Sequence, residues 1–248
     1  MFKFRIIVLI FIFSSSVNTL YSQYDKLFVT CNLWNKLDEK IKTGTIDKEE
    51  AYSLLKKYEV DILKSVKETK FPMVARENWV FPLKNFTKIS YRDGGNDYKL
   101  KEYDYFQGSN SKGHPAHDIF ILDDNKDLLD DSTLKPVDVV SMSSGVVVAT
   151  DTTWKPGSKL RGGLYVKVYD VINRGIFYYS HLSKVTVWPG DILNAGDKIG
   201  EVGRTGRKAI LENGKTHLHI SFLKSVNGYP TPEEIIEDLR NSENKIKK

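Results

Sequence analysis

Leu164-Tyr-Val-Lys-Val-Tyr169 and Gly175-Ile-Phe-Tyr-Tyr-Ser180 are short runs rich in β-branched and aromatic residues. Such residues suit a pleated, half-buried surface, so both read as strands. Working outward, Val137–Val140, Gly145–Thr150 and His217–Leu223 have the same texture. Between the runs lie turn and loop signals: Gly94-Gly95-Asn96, Asp123–Asp131, Pro156–Gly163 and Asn213-Gly214. No helical periodicity separates the strands, which predicts an antiparallel β domain of two sheets from about residue 78 onward.

Upstream, residues 24–70 read as helical. Asp47-Lys-Glu-Glu50 has the form of an N-cap with a glutamate three positions on. Ala51, Leu54, Leu55, Tyr58, Ile62 and Leu63 then recur at helical spacing. A weaker segment, Lys26 to Lys42, stops near Gly44, and Phe71-Pro72 ends the stretch. These helices carry no histidine and are expected to pack on the β domain. At the other end, Pro230 to Asn241 reads as a short helix, with Thr231 as N-cap and Pro232 as first residue.

Residues 1–22 have the layout of a secretory signal peptide. A basic start, Met1-Phe-Lys-Phe-Arg5, precedes an apolar run from Ile6 to Phe13 and a polar, small-residue stretch. The run is far shorter than the ~20 residues a membrane span needs, so cleavage near Ser22 is expected rather than a retained anchor. Export to the periplasm, cell envelope or medium follows. Cleavage would lower the formal charge from +5 by removing Lys3 and Arg5. The mild cationic surplus suits an anionic wall polymer as well as an ordinary soluble protein, and calls for no nucleic-acid partner. Cys31 is the single cysteine, which rules out an intramolecular disulfide, and it reads as a buried, inert thiol.

All five histidines fall in three short motifs: Gly-His-Pro-Ala-His-Asp (113–118), Tyr-Tyr-Ser-His-Leu (178–182) and Thr-His-Leu-His-Ile-Ser-Phe (216–222). Alternate strand residues share a face, so His217 and His219 point one way. If residues 114–118 are extended, His114, Ala116 and Asp118 share a face and His117 turns away; His117 is the alternative ligand to His114 in this motif. A catalytic zinc takes three protein ligands and leaves a fourth position open, and histidine nitrogen with carboxylate oxygen is a suitable set.

In these pieces the chain resembles the lysostaphin-type (LytM-like) zinc metallo-endopeptidases, which hydrolyse peptidoglycan. His114-x-x-x-Asp118 is similar to the first metal motif of that family, and Tyr179-Ser-His181-Leu182 to its central catalytic-histidine segment. Gly190-Asp191, Gly196-Asp197-x-Ile-Gly200 and Val202-Gly203-x-Thr205-Gly206-Arg207 are similar to its glycine-rich tract, and His217-Leu-His219 to its final motif. The resemblance implies a mainly β, two-sheet lysostaphin-like domain (a duplicated hybrid motif) over residues 78–228. A helical region, 23–77, would precede it and a helix and tail, 229–248, would follow. It further implies Zn2+ held by His114, Asp118 and His219, with His181 and His217 acting on water and the tetrahedral intermediate; either can be the main base. The implied substrates are the peptide stems and cross-bridges of peptidoglycan.

Two features depart from the family pattern. Ala116 and His117 stand where a glycine and an aliphatic residue are usual. Lys208–Lys215 is longer than the usual link and carries Asn213-Gly214, a hairpin signal, so a β-hairpin at the groove edge is expected. Tyr178, Tyr179 and Trp188 read as half-buried strand packing, with groove lining as the alternative. The glycines at 196, 200, 203 and 206 read as turn residues, since no helix follows to make a dinucleotide loop. Arg161, Arg204 and Arg207 are each either surface residues or contacts for a peptide carboxylate. Two other functions compete. One is a catalytically dead lysostaphin-like module that activates other wall hydrolases, which would be expected to lack some of these ligands. The other is a biotin- or lipoyl-type carrier, which needs a lysine at a hairpin tip that Val139–Gly145 does not supply.

Overall fold

The computed structural model describes residues 25–67, 71, 74–90 and 97–246. The signal-peptide reading of 1–22 and the Gly94-Gly95-Asn96 turn lie outside them. Two sheets form the β architecture expected. The larger runs β1 (Lys88–Ile89), β2 (His117–Phe120), β10 (His217–Val226), β6 (Gly175–Leu182), β5 (Leu164–Asp170), β4 (Gly145–Asp151) and β8 (Ile192–Leu193). A further strand, β11 (Tyr229–Glu233), pairs with β10. The smaller sheet is β3 (Asp138–Val140), β9 (Lys198–Glu201) and β7 (Lys184–Val185). All the pairings within both sheets are antiparallel.

The period-2 alternation of the strands divides the large sheet into two working faces. Val147, Val166, Val168, Phe177, Tyr179, Leu218, Ile220 and Phe222 enter one core together with Val139 and Ile199 of the small sheet. Trp79 sits at its centre, edge-on to Phe177 and Phe222, and donates its indole N–H to Asp170. Val146, Val148, Tyr169, Ile176 and Leu223 point the other way, into a second core closed by the N-terminal helices.

Those helices are α1 (residues 25–43) and α2 (Lys48–Lys67). As the sequence indicated, Asp47 caps α2: its Oδ1 accepts from the N–H groups of Glu49 and Glu50 at 2.9 and 3.2 Å. Ala51, Leu55, Tyr58 and Ile62 are buried against the sheet, while Leu54 and Leu63 are only partly covered. Each helix also sends one buried carboxylate to the sheet. Glu59 of α2 accepts from Tyr169 and Ser225 hydroxyls at 2.6 and 2.8 Å. Asp38 of α1 accepts from the Tyr105 and Tyr165 hydroxyls at 3.1 and 2.7 Å and from the Lys167 ammonium. Cys31 is fully buried in the same core, and burial pushes its thiol up to about 12, as an inert thiol requires.

Three local readings are corrected. Residues 229–233 form β11, not the start of a helix; helix α3 is Ile236–Ile246. Pro230 and Pro232 do not prevent pairing because β11 borders only β10, and Ser225 and Leu223 stand opposite them. Residues 206–214 close through short-range bonds, Ile210 N–H to Gly206 O and Gly214 N–H to Leu211 O, so they coil into turns instead of a β-hairpin. Finally, Gly196 and Gly206 do occupy turns with positive φ, but Gly200 and Gly203 are close-approach positions. A Cβ on Gly203 would lie 2.4 Å from the Ser183 nitrogen.

Candidate active site

The face of the large sheet that carries the helices also carries the histidines. On β10, His217 and His219 share that face with Ser221 and Leu223; on β6, Tyr178 and Ser180 share it with Ile176. The helices cover one part of the face. The rest is a cavity of about 440 Å3 whose lining includes His114, Asp118, His181, His217 and His219.

Strand pairing sets the geometry. His219 stands opposite Asp118 across β10 and β2, and opposite Ser180 across β10 and β6. Asp118 Oδ1 lies 3.0 Å from His219 Nδ1, 3.3 Å from His114 Nε2 and 3.8 Å from His217 Nε2. Donor atoms of His114, Asp118 and His219 all fall within 4.8 Å of one another, the one such group of histidine, cysteine or acidic residues among the described residues. The His181 ring centroid is 4.9 Å from that of His217 and 5.4 Å from that of His219. His117 points away: it is fully buried, stacks on Tyr98 at 5.8 Å and lies outside this cavity's lining.

Backbone carbonyls orient three of the rings. His114 Nδ1 is 3.1 Å from Asp97 O, His181 Nδ1 is 2.7 Å from Thr205 O, and His217 Nδ1 is 2.6 Å from Lys215 O. A carbonyl can only accept, so each Nδ1 carries the proton and each Nε2 presents a lone pair to the cavity. His219 uses Nδ1 towards Asp118 instead. The donor set is therefore two imidazoles and one carboxylate, with an outer carbonyl fixing His114. That is the chemistry a zinc ion takes, and these residues fit it.

His181 stands in the left-handed region at φ 64°, which a non-glycine residue rarely adopts. Its amide donates to Gly162 O at 3.0 Å, and Gly206 packs directly beneath its ring. A Cβ at Gly206 would lie 2.8 Å from His181 Nδ1 and 2.2 Å from Arg161 O. This is the work of the final glycine of the tract: it lets the Thr205 carbonyl reach the ring.

Burial alone would raise the Asp118 carboxyl; its bonds to the protonated forms of His114 and His219 override it and hold it well below the ordinary range. Burial would lower His114, but its bond to Asp118 raises it. Burial lowers His181 well below 6.5 and also lowers His219, the neighbouring histidines adding repulsion. Burial pushes His117 down to about 4. Three histidines with depressed folded values add stability that is complete above the unfolded value of 6.5 and fades as the pH falls. His114, raised, works in the opposite direction. The metal-free protein is therefore expected to lose melting temperature from pH 6.5 down to about 4. A thermal-denaturation series showing a flat or rising melting temperature over that window would contradict this charge balance.

Comparison with known proteins adds a family likeness for part of the chain. Residues 131–231 match the model of Peptidase family M23. This stretch of the chain is similar to that family. That stretch holds His181, His217 and His219; His114 and Asp118 precede it, and strand β2 brings them to it. Among solved structures, a Ruminococcus gnavus lytM chain is 21% identical, covering 80% of this chain and 73% of its own, at TM-score 0.46. The catalytic domain of the antimicrobial peptidase lysostaphin from Staphylococcus simulans is 24% identical, covering 62% and 92%, at TM-score 0.40. A zinc-containing peptidase from Vibrio cholerae is 22% identical, covering 62% and 38%, at TM-score 0.39. The search of curated proteins found no match.

Around the matched stretch, the aromatic readings divide. Tyr179 is core, and its hydroxyl accepts from the Met142 amide at 2.8 Å. Tyr178 instead lines the cavity, 6.0 Å from the His219 ring. Trp188 is 58% exposed on a turn. The carbonyls of Asp97, Thr205 and Lys215, which orient the rings, left no signal in the sequence, since any residue supplies one. Nor did the sequence indicate that α1 lines the cavity, through Asp38, Ile41 and Lys42.

Proposed function

We propose that this protein is an exported zinc endopeptidase that hydrolyses peptide cross-links of bacterial peptidoglycan. One observation carries the reading: five cavity residues converge from three distant motifs, three as a metal-type donor set and two as oriented imidazoles. His114, Asp118 and His219 would hold Zn2+. Bound there, the ion would polarise the scissile carbonyl and acidify water. His181 and His217, each with Nδ1–H on a carbonyl, keep Nε2 free to accept a proton from attacking water. Once protonated, they can donate to the developing oxyanion or the leaving amine. The site lies on a rigid sheet with its rings pre-set, which limits the reorganisation needed at the transition state.

The mature chain, residues 23–248, is expected to release peptide-cleaved fragments from purified cell walls. A zinc chelator should stop the release, and added zinc should restore it. A folded, zinc-loaded sample that cuts no cross-linked wall peptide would sink the reading, and a native protein that takes up no zinc would favour a binding module.

A further inference from the structure

The cavity continues past the histidines to the N-terminal helices, and there its walls change character. Asp38 and Ile41 of α1 and Tyr105 and Gly108 of the 3-10 segment Tyr105–Asn110 close it on that side. The segment lies hard against α1: a Cβ on Gly108 would be 2.1 Å from the Ile41 carbonyl oxygen. The buried Asp38 anchors this wall to the sheet through Tyr105, Tyr165 and Lys167. From the opposite side Arg161 Nη1 donates to Ser111 O at 2.6 Å, so the loop before β5 meets the segment leading to His114. The open face of the sheet thus ends in a wall beside the site.

The charges along the cavity are uneven. Five basic residues line it. Three are neutralised: Lys42 by Asp151 and Glu39, Lys112 by Glu102, and Lys167 by Asp38. Arg161 and Lys208 pair with no carboxylate among the described residues. The Arg161 backbone lies close to the chemistry, its carbonyl packing on Gly206, which packs on His181, and its guanidinium reaches Ser111, three residues before His114. Of the three arginines that the sequence singled out, it alone lines the cavity.

We propose that the walled cavity binds a short peptide end and that Arg161, assisted by Lys208, recognises its free carboxylate near the cleaved bond. A guanidinium has five donors in a fixed fork that matches a carboxylate, and here one donor is engaged by Ser111. With the helices lining that side of the cavity, a peptide end would stop there and present its carboxylate to Arg161. This rests on the peptidase reading for its substrate class, but binding tests it separately.

The probes are two soluble stem-peptide fragments of one sequence, one ending in a free carboxylate and one in a carboxamide. Each is titrated into the zinc-loaded chain for Kd and assayed for cleavage. The acid should bind about tenfold or more tightly than the amide, the scale of a charge-assisted hydrogen bond. In cleavage the difference should fall on KM and leave kcat little changed. Arg161→Gln should erase the preference, Arg161→Lys should restore part of it, and Lys208→Gln should weaken it. Equal Kd for acid and amide, or an acid preference that survives Arg161→Gln, would overturn the proposal. An acid preference lost in Arg161→Gln, in a protein that cuts neither probe nor cell walls, would uphold the subsite while the peptidase reading fails.

Discussion

Asp118→Ala is expected to strip the zinc and reduce cleavage by at least about a thousandfold. The size follows from two facts. Asp118 Oδ1 is the common point of three imidazoles, 3.0, 3.3 and 3.8 Å away. It is also the only carboxylate in the donor set, so its removal leaves two neutral imidazole ligands for a dication. Lewis-acid catalysis supplies several kcal/mol of transition-state stabilisation, and each 1.36 kcal/mol is tenfold in rate. His114→Ala and His219→Ala should behave alike. His117→Ala is the internal control. Its ring points away from the cluster and stacks on Tyr98, so it should lose stability yet keep zinc and much of its activity. Metal content per chain and cleavage rate are measured on all four variants. Should His117→Ala lose the metal while His114→Ala keeps it, the ligand assignment in the first motif is wrong.

How much of this was legible in the sequence depends on which interactions set each feature. Strand alternation is local, so the shared face of His217 and His219 and the turn of His117 away from it could be read directly. The same alternation explains why Leu218, between the two histidines, enters the core. What escaped was decided by partners far along the chain. Residues 229–233 pair because β10 is ten residues long and extends past β2, leaving Phe222–Val226 to accept β11. Their own prolines and threonine read equally well as a helix start. Residues 208–215 carry a hairpin dipeptide, but the turns across Gly206–Gly214 leave no paired strands to flank it. The N-terminal helices read as packing, and they are; that they also wall the cavity follows from Asp38 finding Tyr105, Tyr165 and Lys167, contacts spanning 67 to 129 residues.

His181→Ala should retain zinc and still lose about a hundred- to ten-thousandfold in cleavage rate, the usual worth of a positioned general acid or base. The residue lies outside the donor group, so the metal has no reason to leave with it. Everything around it serves one imidazole orientation. Thr205 O holds Nδ1–H at 2.7 Å, Gly162 O holds the amide at 3.0 Å, and the backbone accepts a left-handed φ of 64° to deliver the ring. Burial, with repulsion from His217 and His219, keeps the ring neutral well below pH 6.5, so it is a base ready to accept a proton at neutral pH. The support can be tested apart from the ring. Gly206→Ala would drive a methyl to within 2.8 Å of Nδ1 and 2.2 Å of Arg161 O, displacing the Thr205 carbonyl from its partner. It should reproduce much of the His181→Ala loss with the histidine still in place and zinc still bound. A His181→Ala protein that cleaves at the wild-type rate would remove His181 from the chemistry. A Gly206→Ala protein that keeps full activity would show that the carbonyl contact is not what positions the ring.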